Sequence, residues 1–129
     1  MAPFDEIMAD VMAHSSRFGH RQHIEVTWRA VRQYGVLAAI DLVGAGIQQT
    51  ARYAGAPQKY HVTISRAWVE LVGHHVAEDG AESFDAFADR FPALLDKRLL
   101  SRHYSAQTLA GATARAEWVE PDLARLPAH

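Results

Sequence analysis

The stretch FGHRQHIEVTW, from Phe18 to Trp28, decides how the chain is read. Ile24, Trp28 and, three residues on, Val31 recur at the spacing of one helical face, with His20 and His23 on the same side. A half-buried strand would alternate apolar and polar residues at every second position, and this stretch does not. It predicts an amphipathic helix from His20 to Tyr34 that carries two histidines in its first turn.

The same period extends in both directions. Upstream, Phe4, Ile7, Met8, Val11 and Met12 mark a first helix from about Pro3 to His14, broken at Ser15, Ser16 and Gly19. Downstream, Gly35 separates the second helix from a third, Val36 to about Tyr53, with Val36, Ile40, Val43 and Ile47 in register. Gly55-Ala56-Pro57 ends it. A fourth helix, from about Gln58 to Glu78, carries Ile64, Trp68, Leu71 and Val72 and closes at Asp79-Gly80. Ser83 is a good N-cap for the turn FDAFADR, and Pro92 opens a short helix through Leu99 and Leu100. A further short helix is expected around Ala106 to Ala116, and Pro121 and Pro127 make the tail, residues 118 to 129, extended. The reading is all-α: a single-domain helical bundle over residues 1 to 129, with an N-terminal helix and linker (1 to 17) and short C-terminal helices.

Composition narrows the function classes. A chain of 129 residues can bury roughly two-thirds of its unfolded surface, enough for one core without staples. With no cysteine, disulfides, thiolate zinc sites, iron–sulfur clusters and a cysteine nucleophile are excluded, so any metal must sit on nitrogen and oxygen. Thirteen basic against 15 acidic residues, in no long run of either sign, argue against nucleic acid as a partner. The acidic N-terminal segment lacks the pattern of a secretion signal, and no stretch approaches the roughly 18 apolar residues of a membrane span. The expectation is a soluble cytoplasmic protein with no membrane partner, and a homodimer is plausible through the apolar third helix. Eight histidines are the unusual feature. Protonating all of them would move the formal charge from -2 to +6.

His20 and His23 would stand about 4.5 Å apart along the helix axis. Up-down packing brings the third helix back to their level, so the fourth helix starts there too and places His61 beside them, with His75 at the opposite end. Three imidazoles with an open position suit a catalytic divalent transition metal such as Fe, Zn or Cu. The same three residues also read as a metal-free acid–base or ligand-binding set, or as structural histidines. Tyr60, His103 and Tyr104 are the candidate catalytic groups, as proton donors or substrate anchors, against the plainer reading of boundary residues. Trp28 and Trp68 read as core residues that could floor a pocket. Asp41, set among Ala38, Ala45 and Gln48, would need a partner if buried. GAG at Gly44 to Gly46 lacks a third glycine and a preceding strand, so it marks close helix packing rather than a nucleotide site.

The segments FGHRQH, KYHVTISRAWVEL, LLDKRLLSRHYS and WVEPDL together resemble a set of small, largely uncharacterised all-helical bacterial proteins of about this length, over roughly residues 18 to 123. The resemblance implies that the histidine-bearing segments and the tail form one unit, and it supplies no reaction. Two functions are therefore expected: a small metal-dependent enzyme acting on a small-molecule substrate at His20, His23 and His61, or a non-enzymatic helical module that binds a ligand or partner through a pH-sensitive histidine cluster.

Overall fold

A computed structural model describes residues 3 to 129. Seven α-helices are found there: α1 (Pro3–Met12), α2 (His20–Tyr34), α3 (Val36–Tyr53), α4 (Val62–Glu78), α5 (Phe84–Arg90), α6 (Ala106–Ala110) and α7 (Ala112–Ala116). No strand occurs among the described residues, so the all-α reading holds. Helices α2, α3 and α4 pack on one another as the central unit, α1 lies on α2 and α3, and α7 lies on α4. No described helix is long and apolar enough to cross a membrane.

The core follows from the stripes. Ile24, Trp28 and Val31 of α2 are buried with Ala39 and Val43 of α3 and with Trp68, Leu71 and Val72 of α4. Burying a side chain of this kind is worth about 1.5–3 kcal/mol, so this seam fixes the arrangement of the three long helices. Two glycines let helices approach. A Cβ on Gly46 would lie 2.3 Å from the Phe4 ring, and one on Gly73 would lie 2.5 Å from Val36 Cγ2. The α2–α3 junction turns on Gly35, whose φ of 87° is disfavoured for residues with a side chain. Asp41 is exposed on α3, so the partner a buried carboxylate would require is not needed.

Three expected helices are reshaped by local hydrogen bonding. Gln58 lies in a 3₁₀ turn over Pro57–Lys59, and α4 begins only at Val62, because the His61 imidazole accepts the Ile64 N–H as an N-cap. The segment after Pro92 is two 3₁₀ turns, Pro92–Leu95 and Lys97–Arg102, divided where Asp96 caps the Arg98 N–H. The last short helix is interrupted at Gly111.

The tail is extended as expected, and it is pinned along its length. Thr63 Oγ1 donates to Glu117 O and accepts from Val119 N, while Tyr104 Oη donates to Val119 O at 2.6 Å. Asp122 accepts from Ser105 N and Thr108 Oγ1, and Leu123 N donates to His103 O. The Arg66 guanidinium sits 4.1 Å from the centre of the Trp118 ring. The extended tail thus acts as a clasp that ties α4 to the segment from His103 to Thr108.

Candidate functional site

His20, the first residue of α2, and His23 one turn later face a cavity of about 410 Å³. Its other walls are Ile64 and Trp68 of α4, and Leu100, Tyr104, Ala106 and Leu109 of the C-terminal segment, with Lys97, Arg98 and Ser101 contributing the remaining polar surface. The position follows from the topology: α2 and α4 both start at this end, and the 3₁₀ turns lead the chain back across it.

The two histidines differ. His20 Nε2 donates to Leu94 O at 2.9 Å, which fixes the tautomer of the neutral ring, and its imidazole packs edge-on against Trp68 with centroids 4.7 Å apart. Burial lowers its pKa, as does Lys97, against the opposing effects of the Leu94 bond and Asp96. His23 Nε2 is sealed from solvent and has no hydrogen-bond partner. Burial, with His20 and then Lys97 adding to it, pushes the His23 pKa down to about 4, so this imidazole is neutral at pH 7. Among the described residues Lys97 makes no ion pair, whereas Arg98 is bound by Asp96 through both carboxylate oxygens.

His61 does not join the pair as a ligand. Its Nδ1 accepts from Ile64 N at 3.1 Å and its Nε2 donates to Leu109 O at 2.8 Å, leaving neither nitrogen for a metal. Counting helices placed it at the correct end, since Leu109 lines the cavity, but the ring is spent on joining α4 to α6. Among the described residues, the histidine set whose ligand atoms lie within 4.8 Å of one another is elsewhere, at His74 and His75 with Glu78.

The proposed catalytic groups also have structural partners. The Tyr104 ring lines the cavity, while its hydroxyl holds Val119 O, and burial raises its pKa beyond the range of proton transfer near neutrality. His103 Nδ1 donates to Ala124 O, another tail contact. Tyr60 places its hydroxyl against Gly44 of α3, where a Cβ would stand 3.2 Å away. Trp68 does floor the cavity; Trp28 packs instead against Phe84 and Phe87. The residues that sequence reasoning missed are Leu100, Ala106 and Leu109, which carry no chemical signature and reach the site only through the path of the irregular segment.

A larger cleft of about 580 Å³ lies between α1, α2 and the start of α5, lined by Asp10, Glu25, Arg29, Arg32 and Asp85 around Trp28. Arg29 holds Glu25 there through two bonds, Asp85 is held by Arg21, and Arg32 stacks on Trp28. The His20–His23 cavity is the one with a sealed, unpartnered polar atom in its wall.

Comparison of the chain with known protein families, with curated proteins and with solved structures gives no match.

Proposed function

We propose that the chain is a small-molecule binding module whose site is the His20–His23 cavity, and that it takes a compact, mostly aromatic or aliphatic molecule bearing one anionic group. The observation that carries this reading is His23, a neutral imidazole in the wall of a mostly apolar cavity, with a buried nitrogen that nothing among the described residues satisfies. A few convergent polar groups in an apolar cavity are the usual form of a ligand site. Trp68, Leu100 and Leu109 would cover the apolar body, and Lys97 at the rim would attract the anionic end. A metal-dependent enzyme built on His20, His23 and His61 is less well supported, because His61 spends both ring nitrogens, on Ile64 N and Leu109 O.

Calorimetric titration of the full chain at pH 7 with benzoate and phenylacetate, beside the neutral benzamide, tests the reading. The carboxylates should bind at one equivalent and the amide more weakly. Ala106→Trp, which fills the cavity from an exposed wall position, should abolish binding without loss of fold. Equal binding by wild type and Ala106→Trp, or no binding of any member of the set, would overturn it.

A further inference from the structure

At the opposite end of α4, two adjacent histidines and a glutamate converge. We infer that His74, His75 and Glu78 form a divalent transition-metal site whose occupation fastens the end of the tail. Their ligand atoms all lie within 4.8 Å of one another. His74 Nε2 is 3.0 Å from Glu78 Oε1, and His75 Nδ1 is 3.6 Å from Glu78 Oε2. A tetrahedral ion with nitrogen and oxygen ligands at about 2.0–2.2 Å holds those ligands roughly 3.3–3.6 Å apart, so small side-chain adjustments suffice.

The hydrogen-bond balance around His74 points the same way. Its Nδ1 faces Ala128 O and its Nε2 faces the Glu78 carboxylate, and both neighbours can only accept. The ring can satisfy both as an imidazolium, or as a neutral imidazole that donates from Nδ1 and offers its Nε2 lone pair to a cation shared with Glu78. His75 favours the second arrangement. Its Nδ1 is buried without a hydrogen-bond partner, and its ring is held in place against Phe91 with centroids 4.4 Å apart. A metal ligand that donates its other ring N–H to a backbone carbonyl is the usual outer-shell arrangement, and here that carbonyl belongs to the tail. His129, next to it, lies 3.5 Å from Glu70, so the tail's end already rests on α4.

Two imidazoles and one carboxylate select Zn, Ni, Co or Cu over Ca or Mg. Glu78 is exposed, so the site is reached by solvent on its carboxylate side. This site does not depend on the ligand pocket, which lies at the other end of α4.

The test is a zinc titration of the untagged full chain in competition with a chromophoric chelator, followed by histidine side-chain nitrogen NMR. One equivalent should bind, with the His74 Nε2 and His75 Nδ1 resonances shifted and the His74 Nδ1 proton retained. Glu78→Gln, at an exposed position that leaves the fold intact, and His75→Phe, which keeps the stacking on Phe91, should each weaken binding by about tenfold or more. His14→Asn should leave it unchanged. Zinc should raise the thermal midpoint of the wild type and not that of Glu78→Gln. Binding of equal strength in Glu78→Gln, resonance shifts confined to other histidines, or no uptake of zinc would overturn the assignment.

Discussion

Replacing His61 separates a structural imidazole from a metal ligand. The ring is buried at 7 % exposure and makes two hydrogen bonds that no neighbour can replace: it caps α4 through Ile64 N and ties α6 through Leu109 O. Loss of an N-cap costs about 1 kcal/mol, and a carbonyl left without its donor costs about 1–3 kcal/mol. His61→Ala should therefore lower the unfolding free energy by about 2–4 kcal/mol. His61→Asn retains a good cap but does not reach Leu109, and should recover about 1 kcal/mol of that loss. Urea unfolding followed by circular dichroism measures both, with the slope against urea serving to check that the transition stays two-state. Stability unchanged in His61→Ala, accompanied by loss of bound metal, would refute the assignment of His61 as a joint and restore it as a ligand.

Acid should destabilise the fold through His23. Its pKa is about 4 in the folded chain against 6.5 for the free side chain, so below pH 6.5 the unfolded state binds more protons and stability falls until pH 4. At pH 5 the loss from this group is roughly 2 kcal/mol, and His23→Phe should flatten the slope of stability against pH. Tyr104→Phe removes the donor to Val119 O and should cost about 1–2 kcal/mol, with faster amide exchange in the tail as its local readout. Gly46→Ala drives a Cβ into the Phe4 ring and should cost about 1–3 kcal/mol, or release α1, seen as exposure of Phe4 and Ile7 in a thermal melt and by hydrogen exchange. A tolerated Gly46→Ala would mean that α1 does not pack there in solution.

The long helices were legible because their apolar period and their breakers agree. Gly19, Gly35 and Pro57 delimit α2 and α3 at sequence level, and Ile24, Trp28 and Val31 of α2 and Trp68, Leu71 and Val72 of α4 are buried as the spacing expects, whereas α3 buries Ala39, Val43, Gly44 and Gly46 and leaves Val36, Ile40 and Ile47 only partly covered. Legibility ended where hydrogen bonds between distant segments take over. His61 looks the same in sequence whether its second nitrogen meets a metal or the carbonyl of Leu109, 48 residues away. His103 and Tyr104 read as polar groups over a bundle end, and only the course of the tail shows that they hold Ala124 and Val119. The 3₁₀ turns after Pro92 keep the helical apolar pattern, so their tighter winding, which closes the cavity with Leu100, was hidden. His74, His75 and Glu78 did carry a local signal, the spacing H-H-x-x-E on one helix, which places both rings within a turn of the carboxylate.

The central claim, that the His20–His23 cavity binds a compact anion, is tested most directly by intermolecular proton NOEs between phenylacetate and the full chain at pH 7. The account predicts NOEs from the ligand ring to the Trp68 indole and to the methyl groups of Leu100 and Leu109. NOEs instead to Trp28 and Ile7, which line the larger cleft, or none at saturating phenylacetate, would contradict it.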